Sequence, residues 1–587
     1  MGRFLTTVFG TVVGIFMFFV VLLLLTVVIG LAGSIGAAFK PAETYVLTLD
    51  LRDPLRDHDS GRSIFGDPPP SVVGIVQKLH AAGDDPDVKG LLIRANEYGM
   101  VPASAEEIRL AIEDFKTSGK FVITHAQGFE GTSFTAYMAV SASDEIWQQG
   151  ATSFSVAGIH SEVGFYRGIL DKIEAEPQIE QFHEYKSAAN AYMETGFTDS
   201  HREATLSLLD SLYLTAVENI ALDRGLTPSA VKTAFTDAPH TAEEASALGF
   251  VDEIGYYLDA RDYARDKAGG GSVRFDSVHS YSVTPDFSAP VIAFVGGQGS
   301  VVNGESRDGS NPLSSSVTMG GDTVSQAIND AAMDESVKAI LFRVSTPGGS
   351  ATASDQIHDA VQRARDAGKP VIVSMGQYAA SGGYYVSANA DHIVALPGTI
   401  TGSIGVLGGK IAFEDSYAMI GYNVEQLDVG GDFVSAFSVD VPFTESQRLA
   451  FRARLEDIYN GFVSRVAEGR NMSVNQVGKV AKGRVWTGVQ ALEHGLVDEQ
   501  GGLMTAIAAA RRLAGIDEDS GVRLKMFPRP KSATEQLEEI LGSAVSARQD
   551  LDLLREVAAL PEVRAVIDAR AGLEPGQELL ADIPDIE

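Results

Sequence analysis

The chain repeats itself once, with a period of about 247 residues, and this duplication limits the folds open to it. The stretch Asp87–Arg94 (DVKGLLIR) matches Ser336–Arg343 (SVKAILFR), and Leu248–Glu253 matches His494–Glu499. Both copies alternate buried apolar runs with amphipathic stretches, which is typical of α/β domains. A chain of 587 residues is also too long for a single hydrophobic core. We therefore predict two tandem α/β domains of the same fold.

The predicted boundaries follow from changes in composition. The first domain covers residues 45–267 and the second covers residues 290–515, with a glycine- and serine-rich linker at 268–289. Residues 528–587 form a tail to which no role is assigned. Each domain has a long helix with a threonine cap, at Thr198 and at Thr444. In the second of these helices an apolar stripe is interpreted as a core and oligomer contact, not as a ligand site: Phe451, Leu455, Ile458 and Phe462.

A long apolar segment precedes the first repeat. Residues 4–39 contain no charged side chain, and the 8–31 stretch is nearly all apolar. As a helix it would extend roughly 36 Å, enough to cross a bilayer and longer than the apolar core of a cleaved signal peptide. We expect a single-pass anchor with the amino terminus in the cytoplasm, because Arg3 precedes it.

The overall charge excludes several classes of function. The formal net charge of −32 argues against binding nucleic acid or docking on anionic lipid, both of which need basic patches. The chain has no cysteine, so disulfides and thiolate metal sites are excluded. Its 11 histidines show no metal-ligand spacing, and we expect neither a metal nor a cofactor.

Two small-residue turns each follow a predicted buried strand. The strand at Val371–Val373 leads into Ala379-Ala380-Ser381-Gly382-Gly383, and another strand leads into Ser345-Thr346-Pro347-Gly348-Gly349. A serine at such a turn, next to glycines that allow close approach of a substrate backbone, is typical of a nucleophile beside an oxyanion hole. Either turn alone is also common in ordinary α/β domains.

The two repeats complement each other chemically. Phe134 aligns with Ser381, so the first repeat lacks the serine. Lys186 follows Phe134 by 52 residues, whereas the same count from Ser381 reaches Phe433, which cannot serve as a base. One repeat thus retains a serine and the other a lysine, as though one Ser/Lys pair had been divided. A buried lysine has a lowered pKa and its neutral amine can activate a serine.

These motifs give the chain a specific resemblance over residues 8–515. Two further motifs contribute to it: Thr401-Gly402-Ser403-Ile404-Gly405 and Tyr185-Lys186-Ser187. The chain resembles the signal peptide peptidase A family in its long, protease IV form, which has two ClpP/crotonase-like domains. The resemblance implies that Ser381 is the nucleophile and Lys186 the general base. It also implies that the N–H groups of Gly348 and Gly382 form the oxyanion hole, and that Ser403 holds the lysine amine.

The same resemblance implies a cellular context. The expected substrates are hydrophobic signal peptides already released by signal peptidase. The expected assembly is a homotetramer, attached to bacterial inner-membrane lipid by its anchor, with the catalytic body on the periplasmic side.

Two other functions stay open at this point. A crotonase-type acyl-CoA lyase or hydratase would use the same fold and a similar oxyanion hole, but it usually needs acidic residues that neither turn has. A non-catalytic membrane scaffold is the second alternative, although both residues of the Ser/Lys pair are present.

Overall fold

A computed structural model describes residues 44–59, 70–309, 316–518, 520–529 and 535. The predicted anchor (8–31) and nearly all of the tail from residue 528 lie outside these residues. No helix within the described ranges is long and apolar enough to cross a membrane.

The first repeat consists of short strands that alternate with helices. Its strands are β1 (Tyr45–Asp50), β2 (Val88–Arg94), β3 (Phe121–Ala126), β4 (Glu145–Gln148), β5 (Ser153–Phe154), β6 (Glu176–Phe182), β7 (His240–Thr241), β8 (Glu253–Ile254) and β9 (Arg274–Ser277). Its helices are α1 (Val72–Asp84), α2 (Pro102–Thr117), α3 (Thr135–Met138), α4 (Arg167–Lys172), α5 (Asn190–Met193), α6 (Asp199–Arg224), α7 (Pro228–Thr236), α8 (Ala242–Ala247) and α9 (Tyr257–Lys267).

The second repeat follows the same plan. Its strands are β10 (Val291–Gln298), β11 (Ser300–Val302), β12 (Arg307–Asp308), β13 (Val317–Gly320), β14 (Val337–Thr346), β15 (Val371–Ala380), β16 (His392–Ala395), β17 (Ile400–Gly402), β18 (Val406–Ala412), β19 (Val485–Thr487), β20 (Glu499–Gln500) and β21 (Arg523–Phe527). Its helices are α10 (Gly321–Met333), α11 (Ala351–Asp366), α12 (Gly382–Ser387), α13 (Glu414–Met419), α14 (Glu445–Gly469), α15 (Val474–Val480), α16 (Gly488–Glu493) and α17 (Leu503–Leu513).

The strand order of the two main sheets confirms an α/β fold for both repeats. In the described part of the chain, the first sheet has the order β8-β4-β3-β2-β1-β9, and its strands are parallel. The second sheet contains the corresponding path β20-β16-β15-β14-β10-β21, and β17 and β19 form a second branch from β15. The 268–289 segment, which was predicted to be a linker, contains β9, and β9 pairs with β1. In the same way β21, which lies beyond the predicted end of the second domain at residue 515, pairs with β10. Each repeat thus closes with a strand beside its own first strand.

The predicted long helices are confirmed, together with their caps. Helix α6 begins after Thr198, whose side chain accepts a hydrogen bond from the His201 N–H. Helix α14 begins after Thr444, which forms a capping box with Gln447. Each cap satisfies backbone donors at the helix start that have no partner within the helix.

Among the described residues, one of the three hydrophobic clusters is built from both repeats. Helix α2 packs on both sheets, α17 packs on the second sheet, and α1 and α3 pack against α2. Both sheets contribute side chains to this cluster, for example Leu91 and Ile93 from the first and Phe294 and Leu341 from the second. A buried Arg343 on β14 donates hydrogen bonds to Asp57 and Glu107 of the first repeat. The repeats are therefore held rigidly against each other.

A second junction lies at the edge of this shared cluster. Strand β18 of the second repeat pairs antiparallel with β6 of the first, in register from Val406 opposite Phe182 to Ala412 opposite Glu176. Glu180 on β6 also forms ion pairs with Arg448 and Arg452 on α14. This ladder positions the end of β6, and the chain that follows it, against the second repeat.

Candidate active site

Ser381 stands at a strained turn between β15 and α12. Its backbone has φ 53° and ψ −116°, a conformation that is unfavourable for a residue with a Cβ. The turn is held on both sides, because the Ser381 N–H donates to the Gly402 carbonyl and the Tyr385 N–H donates to the Ser381 carbonyl. Strain of this kind costs about 1–3 kcal/mol and occurs mostly at functional sites. The surrounding sheet and helix therefore present the Ser381 hydroxyl in one fixed direction.

The corresponding turn in the first repeat is relaxed. Phe134 has φ −58° and ψ −23°, an ordinary helical conformation, and its side chain is buried in the shared cluster. Phe433, at the position equivalent to Lys186, lies in a short 3-10 helix at Asp432–Ser435 and is partly exposed. Neither position has a nucleophile or a base, as the sequence comparison predicted.

Lys186 reaches Ser381 across the boundary between the repeats. It lies four residues beyond the end of β6, where Gly483 passes so close that a Cβ at that glycine would be 2.5 Å from the Lys186 Cβ. Only glycine allows this approach, because its φ of +84° is also unfavourable for other residues. The Lys186 Nζ lies 3.0 Å from Ser381 Oγ. The structure thus brings together two residues that are 195 positions apart.

Ser403 fixes the amine of Lys186. Both its carbonyl oxygen and its Oγ accept hydrogen bonds from Lys186 Nζ, each at 3.0 Å. The Ser403 hydroxyl in turn donates to the Gly483 carbonyl at 3.4 Å, and its N–H donates to the Arg484 carbonyl at 2.7 Å. With these contacts and the one to Ser381, all three hydrogens of an ammonium have acceptors.

The environment of Lys186 favours its neutral form. The side chain is buried, with 7% of the residue exposed, and no carboxylate of the described residues bonds to its Nζ. Burial lowers the pKa of Lys186 to about 8 from its ordinary value of 10.5. The neutral amine is therefore well populated at mildly alkaline pH, and its lone pair can accept the Ser381 proton.

The glycine-rich turn after β14 packs directly on the serine turn. A Cβ on Gly348 would lie 2.7 Å from the Gly382 nitrogen and 2.8 Å from Ser381 Cβ. Gly382 is the first residue of α12, so its N–H has no acceptor within the helix. The N–H of Gly348 donates to Thr346 Oγ1 at 3.1 Å. The sequence places Gly349 in this turn but not in the oxyanion hole, and its nitrogen lies 3.2 Å from the position of a Cβ on Gly382.

These residues open into a cavity of about 480 Å³ that both repeats line. Apolar side chains cover much of its wall: Val163, Ala191, Val406, Leu407, Ile458 and Phe462. Ile458 and Phe462 belong to the stripe on α14 that the sequence assigned to core and oligomer contacts alone. Helical spacing shows that these side chains share one face of the helix. It does not show which of them face a cavity and which face the core.

Comparison with known proteins decides the family. The profile of peptidase family S49 matches the chain twice, at residues 114–270 and 363–517. The chain belongs to peptidase family S49. This S49 chain is therefore a serine peptidase, which argues against both the acyl-CoA lyase and the scaffold. Each of the two S49 matches falls within one of the repeats.

Three curated relatives are similar over most of the chain. Protease 4 of Haemophilus influenzae is 32% identical, over 87% of this S49 chain and 85% of its own. Protease 4 of Salmonella typhi is 29% identical over 86% and 84%. The chloroplastic serine protease SPPA of Arabidopsis thaliana is 26% identical over 91% and 79%. These names match the family that the sequence motifs resemble.

Proposed function

We propose that this S49 peptidase cuts peptides with a Ser381/Lys186 dyad contributed by the two repeats. The observation that carries the proposal is the 3.0 Å contact between Lys186 Nζ and Ser381 Oγ, with Ser403 holding the amine from the other side. A nucleophile, a base of lowered pKa and a residue that orients the base are the parts that covalent acyl transfer requires.

The proposed reaction follows from this geometry. Neutral Lys186 takes the Ser381 hydroxyl proton as Oγ attacks the peptide carbonyl carbon, and the carbonyl oxygen becomes an oxyanion. The N–H of Gly382 and a donor from the Gly348-Gly349 turn stabilise that charge. The Lys186 ammonium then protonates the leaving amine, and the C–N bond breaks to leave an acyl-enzyme. A water molecule, deprotonated by Lys186, releases the acid and restores Ser381.

The proposed substrates are released signal peptides. The apolar cavity wall suits peptide segments rich in leucine, alanine and valine, and the name of a relative from Enterococcus faecium, putative signal peptide peptidase SppA, supports the same class. We further propose that residues 8–31 anchor the chain in the bacterial inner membrane, that the body is periplasmic, and that the active species is a homotetramer.

Two measurements test the function. A fluorophosphonate probe should label Ser381 in the full-length chain, and Ser381→Ala should abolish labelling. Mass spectrometry of a synthetic signal peptide incubated with the enzyme should show cuts after small or aliphatic residues. Efficient cutting of charged, water-soluble peptides in preference to apolar ones would contradict the proposed substrate class, and absence of labelling would contradict the nucleophile.

A further inference from the structure

The imidazole of His201 lies in the wall of the cavity but has no part in the proposed reaction. His201 stands in the first turn of α6 and lines the same cavity as Lys186 and Ser381. The residue is only 8% exposed, and the rings of Phe165 and Phe197 pack on its ring, with centroids 6.2 and 4.7 Å away. This packing gives the imidazole a fixed place in the cavity wall.

Neither nitrogen of this ring has a hydrogen-bond partner among the described residues. The hydrogen bonds of His201 come from its backbone, whose N–H donates to Thr198 Oγ1 at 3.3 Å and whose carbonyl accepts from Thr205 Oγ1 at 2.8 Å. Its Nδ1 is fully enclosed without a partner, whereas Nε2 is not enclosed in this way. A buried N–H without an acceptor is costly, so we assign the ring proton to Nε2 and the lone pair to Nδ1. The Nε2–H group is then a free donor for a molecule in the cavity.

The surroundings of this donor favour an anion. No acidic side chain of the described residues lines the cavity, and Lys186 is the other basic group in its wall. Helix α6 begins beside His201, and the start of a helix carries a partial positive charge. Asp199, the acid in the same turn, is exposed and lines a separate depression on the surface. Burial lowers the pKa of His201, so the ring is neutral near pH 7 and acts as a donor.

The proposed substrates carry an anion because of the way they are made. Hydrolysis of the peptide bond between a signal peptide and its protein leaves a free carboxylate at the end of the signal peptide. The same segment has an uncharged amide at this place while it is still attached. A group that binds the carboxylate therefore distinguishes released signal peptides from attached ones.

We propose that the Nε2–H group of His201 binds the C-terminal carboxylate of the substrate and so makes the enzyme selective for released peptides. This inference rests on the proposed function and adds to it a residue that determines specificity. Cavities of a few hundred Å³ hold ligands of drug size, so the cavity of about 480 Å³ holds only a few residues of a peptide. The first cut by Ser381 should therefore lie close to the carboxyl end.

Two synthetic peptides test the contact. Both have the same N-acetylated apolar sequence, and one ends in a carboxylate while the other ends in a carboxamide. With the full-length enzyme at pH 8, KM for the acid should be about 10-fold lower than KM for the amide at similar kcat, because a hydrogen bond to a charged group is the stronger one. His201→Phe keeps a ring beside Phe197 but has no donor, so it should raise KM for the acid about 10-fold and leave KM for the amide unchanged. His201→Gln retains an N–H donor and should recover part of the preference.

His125 on β3 provides the matched control. It is also buried, and its Nδ1 also lacks a partner among the described residues, but it does not line the cavity. His125→Phe should leave the ratio of the two KM values unchanged, and fluorophosphonate labelling of Ser381 checks that each variant keeps an intact site. Equal KM values for the two peptides in the wild type, or an equal rise for both in His201→Phe, would overturn the carboxylate contact while hydrolysis continues. If the wild type cut neither peptide, the proposed function would fail, and this inference with it.

Discussion

Lys186 Nζ lies 3.0 Å from Ser381 Oγ and equally far from both oxygens of Ser403, although Lys186 belongs to a different repeat from the two serines. The amine is thus held between its proton donor and the residue that orients it. Because the lysine lies on the segment that follows β6 and the serines directly follow β15 and β17, the site exists only when the repeats are joined. The predictions below test this arrangement and the contacts that support it.

The first prediction concerns the two members of the pair. Ser381→Ala and Lys186→Ala should each lower kcat by about 10⁴-fold or more, and the double variant should be no worse than either, because both act in one step. Lys186→Arg should also be inactive, since a guanidinium stays protonated and cannot accept the Ser381 proton. Peptide hydrolysis assays measure the rates, and circular dichroism checks the fold. Losses that multiply in the double variant would contradict a working pair.

The second prediction is a pH profile. The base is the neutral amine, so kcat/KM should rise with pH through the lowered pKa of Lys186, at about 8. Ser403→Ala removes an acceptor that stabilises the ammonium, so the rise should move to lower pH while kcat falls about 10-fold. Ser325→Ala, which removes another buried hydroxyl bonded to a backbone carbonyl, is the matched control and should alter neither. A Ser403→Ala profile that coincides with wild type would remove Ser403 from the site.

The third prediction concerns the glycine turn. Gly348→Ala would place a Cβ 2.7 Å from the Gly382 nitrogen and 2.8 Å from Ser381 Cβ, so kcat should fall at least about 100-fold. Gly368→Ala is the control, because Gly368 also has a positive φ, of +77°, but open space around its Cβ position. That variant should lose about 1 kcal/mol of stability without loss of kcat. Equal activity losses in the two variants would show that backbone strain, and not contact with the serine turn, causes the loss of activity.

The fourth prediction addresses the buried ion cluster between the repeats. Arg343→Met removes the guanidinium that pairs with both buried carboxylates, Asp57 and Glu107, and should lower the free energy of unfolding by about 3–5 kcal/mol. The control is Arg363→Met on α11, where an exposed pair with Asp359 is lost and the cost should stay below about 1 kcal/mol. Urea denaturation followed by circular dichroism measures both. Equal costs would mean that the cluster does not hold the repeats together.

The fifth prediction is a pH-dependent stability. Glu106 on α2 is buried and accepts a hydrogen bond from the Gly398 N–H of the second repeat, and burial raises its pKa to about 7 from 4.5. An acid whose pKa is raised on folding contributes its stability at low pH, and loses it as pH rises through the folded value. Between pH 5 and 8, the free energy of unfolding of the wild type should therefore fall by on the order of 2 kcal/mol relative to that of Glu106→Gln. Urea midpoints across that range measure the difference, and a constant difference would contradict the shift.

Much of this protein could be read from its sequence. The period of the repeat predicted two equivalent α/β domains, because an apolar run and a helical spacing that recur in the same order must fold in the same way. The threonine caps at Thr198 and Thr444 followed from local backbone chemistry that needs no tertiary partner. The pairing of Ser381 with Lys186 followed from comparing the repeats with each other, since a serine and a lysine each occur at a place where the other repeat has phenylalanine.

Tertiary structure decided the rest, because it depends on contacts between residues far apart in the chain. The strain at Ser381, the close approach of Gly483 to Lys186 and the bond from Gly348 to Thr346 come from packing that no local pattern encodes. The apolar stripe on α14 gives no sign of which end faces the cavity. Helical spacing determines which side chains share a face of α14, but only the position of α14 against β6 and β18 determines what that face covers.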